Sequence, residues 1–587
     1  MYVSNSHRFY YLHNFHVALD WLQARYADVL SAHEQAFMHD FAVLPEASRA
    51  MLVRMIMRRG EIFRTGKLVY EEIGCVHQAA APLLERGWLD AAASMTLSDF
   101  CAQLRNAEIR EVFGRDASGQ LRRWAGSRRA VMLEQLGAEY ASAQTWREWW
   151  PLAQEDAWRV TVGELCRRLR LMFFGNLRQH WSEFVLADLG VFKYEPVALS
   201  RQARAFNHAQ DIDCWLALQK CREGVDEGVS HEELTQTLHT LVTTNAWLLR
   251  RRDRVRFVLG QRAERAGQWD EALSCYVDNG EPAATYRHAR VLERAGHWQQ
   301  ALDVAQNAVA MQPGAPSWAD GRVAAVQPGV RPWAEEEGPG RALACEEGVQ
   351  KLARLIPRLQ RRLGLPLPRA SDAKRRAHVS TLLLHASEER VERAVCRHLH
   401  TDGAPVFYVE NSLVNGLFGL LCWDVVFADV PGAFFHPFQS GPADLYDHGF
   451  ARRRSVQINA ALDLLSQDTW REVVRERYAQ KYGVLSPFVH WAALTPELLE
   501  LALACIPGEH LRIWISRLLA DIRANRNGWP DRIQFFPDRC AYEMIEVKGP
   551  GDRLQDNQIR WLNYGVAHGM PMRVVHVRWA CATDTPT

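Results

Sequence analysis

The strongest constraint on this chain lies near its C-terminus, where Gly528-Trp529-Pro530-Asp531 is followed by Glu546-Val547-Lys548-Gly549-Pro550-Gly551-Asp552-Arg553. Between the two halves, Ile533-Gln534-Phe535-Phe536 and Ala541 to Val547 are β-prone runs on either side of Pro537-Asp538, so the stretch predicts a hairpin of two short strands. Such a hairpin brings Asp531 and Glu546 close together. Strand alternation puts Glu546 and Lys548 on one face, with Val547 packing behind them. Two carboxylates and an ammonium on one rim suit metal-assisted phosphodiester hydrolysis. A hard divalent cation such as Mg2+ takes oxygen ligands and keeps several waters, which leaves sites for a phosphate oxygen and an attacking water. Lys548 would orient or help deprotonate that water, or stabilise charge building on the phosphate. An isolated E-x-K is ordinarily a solvated strand face with an incidental ion pair; the G-x-P-D start and the spacing separate this stretch from that case.

Read as an ordered string, G-W-P-D, E-V-K-G-P-G-D-R-L, Asn557-Gln558 and Trp561-Leu562 resemble the virus-type replication-repair nuclease (VRR-NUC) branch of the PD-(D/E)XK superfamily. Within that branch they are similar to the Fanconi-associated nuclease family. Two remote stretches carry the same likeness: Arg58-Arg59-Gly60 with Phe63-Arg64, Lys67-Leu68, Tyr70 and Glu72-Ile73, and Glu410-x-Ser412 with Leu417-x-Gly419-Leu420-Leu421 and Trp423-Asp424.

The resemblance implies several helical domains, including degenerate tetratricopeptide-like (TPR-like) helix pairs, followed by a C-terminal α/β PD-(D/E)XK nuclease domain with a mixed sheet. It implies a structure-specific DNA nuclease that cuts near 5′ flaps and trims 5′ to 3′ in interstrand cross-link repair. Asp531, Glu546, Lys548 and Gln558 would be catalytic. Glu410, Asp531, Glu546 and the Val547 carbonyl would hold one or two Mg2+ or Mn2+ ions. Asp552 and Arg553 would brace the loop or approach DNA. From the residues alone, the default for Glu410 is an acid at a helix N-terminus, favoured there by the macrodipole, with Ser412 as a nearby cap. Gln558 is open between touching the attacking water or a phosphate and making a structural hydrogen bond.

A chain of 587 residues is too long for one core, so three or four domains are expected. The formal net charge of +1 does not advertise a nucleic-acid binder, and a DNA-binding surface must come from charge segregated onto one face. The 12 cysteines include no C-x-x-C, which argues against zinc and against a secreted disulfide framework. The ubiquitin-binding zinc finger of the family's vertebrate members is therefore not expected here. The N-terminus has no apolar signal region, and no run approaches the roughly 18 apolar residues of a membrane span. A reducing bacterial cytoplasm, with work on nucleoid DNA, fits this pattern.

Hydrophobic periodicity divides the rest. Residues 1–92 predict a helical domain and 93–156 helices with a basic edge, with Thr96 or Ser98 as a helix cap; there the family resemblance implies a small SAP-like DNA-binding module. Residues 157–311 predict further helices, in which Glu264–Leu273 matches Glu293–Leu302 in the G-x-W-x-x-A-L pattern of TPR-like pairs. Residues 312–345 read as a Pro/Gly-rich linker or insertion, and 346–587 as the catalytic region with its core at about 470–580. Gly416 to Phe427 predicts one buried apolar helix.

Basic clusters at Arg250, Arg252 and Arg254, along 351–376 with Lys374, Arg375 and Arg376, and at Arg452 and Arg453 are candidate DNA contacts, although solvated surface explains each as well. Proline and glycine in 351–376 predict that it is not one helix. A four-way-junction resolvase on the same catalytic fold and a non-catalytic helical DNA-binding scaffold are the alternative functions. A homo-oligomer is compatible with either.

Overall fold

The computed structural model describes residues 8–115, 118–179, 181, 192–311, 345–367, 377–385 and 389–580. The linker expected at 312–345, save its last residue, and Lys374, Arg375 and Arg376 lie outside the described residues. The chain divides into two units, Met1–Phe192 with Phe206–Ile212, and Lys193–Ala205 with Asp213–Thr587.

In the first unit the apolar periodicity becomes the helices Tyr10–Tyr26, Ala32–Val43 and Glu46–Ile56, which bury Phe15, Leu22, Tyr26, Phe41 and Met51. Strands β1 (Ile62–Arg64), β2 (Leu89–Asp90) and β3 (Ala157–Val160) then form an antiparallel sheet in the order β1-β3-β2. The unit is predominantly helical as expected, but residues 157–160 are strand where helix was expected. Segments this short carry no period of their own; β3 is held by pairing with residues far away in sequence, Phe63 opposite Trp158 and Leu89 opposite Val160. Thr96, not Ser98, caps the helix Leu97–Gln103, accepting from the Asp99 amide at 3.1 Å in a capping box. Phe100, Phe113, Trp146 and Trp149 fill the core behind it.

In the second unit the internal repeat forms helices Ala246–Ala266, Trp269–Tyr276, Ala284–Arg294 and Trp298–Ala310. Gly267 ends the first of these in the left-handed region at φ 75°, where a side chain would be strained. Helix Glu346–Arg362 adds Leu352, Leu355 and Leu359 to the core built by Ala289, Leu302, Ala305 and Val309. It continues through Pro357 but ends at Arg362, before Gly364 and Pro366, so the stretch from 351 is not one helix, as expected, although Pro357 is not where it breaks. An interior proline costs about 3 kcal/mol, whereas each buried leucine contributes about 1.5–3 kcal/mol, so the leucine stripe wins.

The mixed sheet of the same unit comprises β4 (His378–Leu384), β5 (Val406–Tyr408), β6 (Arg532–Phe536), β7 (Ala541–Lys548) and β8 (Met572–Trp579), in the order β4-β8-β7-β6-β5. β4 and β7 run parallel to β8, while β5 and β7 run antiparallel to β6. The apolar run after Ser412 is two helices, Leu413–Leu421 and Trp423–Val426, where one was expected. The break at Cys422 frees helix carbonyls, and the Arg477 guanidinium donates to those of Leu420 and Leu421, which satisfies them. Among the described residues no helix is long and apolar enough to cross a membrane.

Candidate active site

β6 and β7 form the expected hairpin, closed by a 3-10 turn at Pro537–Arg539 and by Cys540 at φ 45°. Its register pairs Arg532 with Ile545, so one further step sets Asp531 opposite Glu546. The Val547 amide donates to both Asp531 oxygens, at 3.3 and 3.4 Å. The Glu546 carboxylate is 1% exposed. Its Oε1 accepts from Lys548 Nζ at 2.7 Å and from Gln558 Nε2 at 2.6 Å. Its Oε2 is buried without a hydrogen-bond partner.

Burial raises the pKa values of Asp531 and Glu546 well above the ordinary carboxylate range, and proximity to Asp531 and then Glu410 adds to the rise at Glu546. The Val547 amide and Arg532 oppose it at Asp531, and Lys548 opposes it at Glu546. Lone carboxylates do not leave an oxygen orphaned in a dry pocket without cost.

The motif's other residues place these acids. Trp529 stacks on Trp561 with ring centroids 3.5 Å apart, and Trp561 donates to the Asn525 carbonyl at 3.1 Å. The G-W-P-D segment is thereby locked to the catalytic-side helix Asp556–Ala567. Gly528 has φ 93°, and a Cβ there would lie 2.8 Å from the Asn557 backbone, so the close approach requires glycine. Gln558 is committed at both ends, accepting from the Gln555 amide at 2.9 Å while holding Glu546. Both bonds hold the Gln558 amide against Glu546 and the helix start.

Glu410 follows β5 at the rim. The Val409 amide donates to the Asp531 carbonyl at 3.0 Å, and Asn411, at φ 51°, accepts from the Gly528 amide at 3.0 Å. Asn415 donates to the Asn411 and Arg526 carbonyls, both at 2.8 Å. These bonds tie the remote acid to the hairpin motif. Ser412 makes no side-chain capping bond. Asp552 accepts from the Gly549 amide at 3.1 Å and braces the loop, while Arg553 is exposed.

A divalent cation fits this site. A buried Glu546 with one orphaned oxygen and a half-buried Asp531, both under-compensated, are hard donors short of positive charge. Among the described residues no three His, Cys, Asp or Glu side chains already stand converged as a complete ligand set. Glu410 is an exposed carboxylate within electrostatic reach of Glu546, and Val547 is on the same strand as Glu546.

Most of the basic candidates have partners of their own. Arg250 pairs with Asp447 at 3.0 Å, and Arg453 with Asp444 at 2.6 Å. Arg254 lies 3.9 Å from Glu281. Arg252 is half-buried and Arg452 exposed. In the helix at 346–362, Arg354 is bidentate to Asp556 at 2.7 and 2.8 Å and Arg358 pairs with Glu293 at 2.7 Å. Sequence reasoning missed Tyr408 and Arg532, which flank the acids. The signal available was alternation, since Tyr408 stands two residues before Glu410.

Three family models match: "FAN1, HTH domain" over residues 9–90, "Fanconi anemia-associated nuclease SAP domain" over 94–149 and "VRR-NUC domain" over 465–579. A Fanconi-associated nuclease 1 homolog of Pseudomonas aeruginosa is 44% identical over 572 residues, covering 97% of this chain and 96% of its own. The Fanconi-associated nuclease 1 homolog of Arabidopsis thaliana is 23% identical over 630 residues, covering 97% of this chain and 67% of its own. The crystal structure of paFAN1 bound to 2nt 5′ flap DNA with gap matches with a TM-score of 0.83 at 43% identity, covering 98% of this chain and all of that one. With its hairpin acids, lysine and orphaned carboxylate oxygen in place, the chain belongs to the Fanconi-associated nuclease family and is a structure-specific, divalent-metal-dependent nuclease.

Proposed function

We propose that this nuclease cleaves branched DNA near 5′ flaps and trims 5′ to 3′, using Mg2+ or Mn2+, in the repair of interstrand cross-links. Its likeness to a bacterial nuclease that acts on DNA supports a cytoplasmic location. The observation that carries the reading is the buried Glu546 carboxylate, whose second oxygen lacks a partner while Asp531 stands across the hairpin. Support for the substrate comes from paFAN1, whose crystal structure is of a complex with 5′ flap DNA.

Asp531, Glu546, Glu410 and the Val547 carbonyl would hold the cation. Bound there, it would supply Lewis-acid stabilisation of phosphate charge and lower the pKa of a coordinated water. The protein's own contributions are distinct. Gln558 and Lys548 fix the Glu546 carboxylate through Oε1, leaving Oε2 for the site. The Lys548 ammonium is a donor fixed 2.7 Å from Glu546, and it orients the attacking water and meets negative charge on the phosphate. The Val547 amide holds the Asp531 carboxylate turned toward Glu546.

The test is cleavage of 5′-labelled and 3′-labelled flap duplexes with Mn2+, with a four-way junction alongside. Cutting near the flap base that Asp531→Ala abolishes while binding persists is the expected result. A preference for the junction overturns the flap assignment, and undiminished turnover by Asp531→Ala overturns the site.

A further inference from the structure

The geometry points to Tyr408 as a positioning residue that sets Glu410 for cation binding, an inference resting on the active-site reading above. Tyr408 ends β5 and pairs in register with Arg532 on β6. Its hydroxyl donates to Glu410 Oε2 at 2.5 Å. The Arg532 guanidinium lies over its ring, 4.5 Å from the centroid, and Arg532 itself is buried and donates to the Asp531 carbonyl at 3.0 Å. The phenol is therefore clamped by a residue adjacent to one acid while its hydroxyl grips another. Tyr408 is 58% exposed, which is high for a large aromatic side chain whose purpose is packing.

The two oxygens of Glu410 are held unequally. Oε2 takes the short phenol bond, whereas Oε1 has only the Asn411 amide at 3.4 Å, well beyond the usual 2.9–3.0 Å or so of an N–H···O bond. One oxygen is anchored and the other is left available. An exposed glutamate is otherwise free to rotate among many conformers, and fixing it on binding costs entropy. Carboxylate ligands are commonly held by neighbouring hydrogen bonds, and losing such a partner weakens metal affinity by about 10–100-fold. Tyr408 supplies that bond to the ligand contributed from outside the hairpin.

Tyr408→Phe removes the hydroxyl and keeps the ring under Arg532. Mn2+ binding to the full chain without DNA, read by calorimetry, is expected to weaken about 10-fold or more. Flap cleavage by the variant should then need more Mn2+ and recover toward the wild-type rate when Mn2+ saturates. In a Glu410→Gln background, Tyr408→Phe should change Mn2+ affinity no further, whereas a general structural role would weaken both backgrounds. Unchanged or tighter Mn2+ binding by Tyr408→Phe, with wild-type protein cutting flaps, overturns this inference alone. Wild-type protein that neither binds Mn2+ nor cuts flaps overturns the active-site reading and this inference with it.

Discussion

Glu546 bears a heavy electrostatic load, because burial and Asp531 both oppose its charge. Its folded-state pKa is raised, so the native state retains a proton that the unfolded chain gives up at lower pH. Metal-free protein should therefore lose stability as pH rises from the ordinary carboxylate range through the raised values. Urea unfolding in a chelator should show that decline, and Glu546→Gln should flatten it. Mn2+ should stabilise the wild type more at pH 8 than at pH 5, since ionised carboxylates are what it binds. Lys548→Met is expected to slow single-turnover cleavage by about 10²–10⁴-fold, as for loss of a positioned proton-transfer group. Flap affinity measured with the chelator present should change little.

At the scale of elements, two contacts hold the nuclease unit together. The Trp529–Trp561 stack joins the strand entrance to the helix that carries Gln558. Trp529→Ala is expected to cost about 3–5 kcal/mol in urea unfolding, and to slow cleavage because Asp531 follows two residues later. Asp444 and Arg454 form an ion pair in which both side chains are almost wholly buried, with Arg453 sharing the same carboxylate. Burial raises the Asp444 pKa, and its arginine partners outweigh that to leave it low. Asp444→Asn strands a buried guanidinium charge, and a loss of about 3–5 kcal/mol is expected in the same assay.

Across the whole molecule, a net charge of +1 spread over 70 basic and 69 acidic residues means that a basic cluster signals DNA contact only where acids do not answer it. Arg250, Arg453, Arg354 and Arg358 are answered. Arg452 and Arg553 are exposed, and among the described residues no ion pair holds either one. Replacing both with glutamine should weaken flap binding and flatten the slope of log affinity against log salt by about 0.7–0.9 per charge. Arg453→Gln should instead lower stability. An unchanged slope in the double variant would place the DNA path elsewhere.

Local physics in the sequence determined the hairpin, a helix cap at Thr96 or Ser98, the TPR-like helix pairs and the face shared by Glu546 and Lys548. Each depends on residues a few positions apart, where periodicity, turn chemistry and alternation act directly. Only the tertiary structure decided the pairing of β3 between β1 and β2, the passage of a helix through Pro357, and the break at Cys422 answered by Arg477. It also decided which arginines meet acids, and it placed Tyr408 between Glu410 and Arg532. These outcomes follow from burial and from partners far apart in the chain, whose energies exceed local preference and leave no period in the sequence.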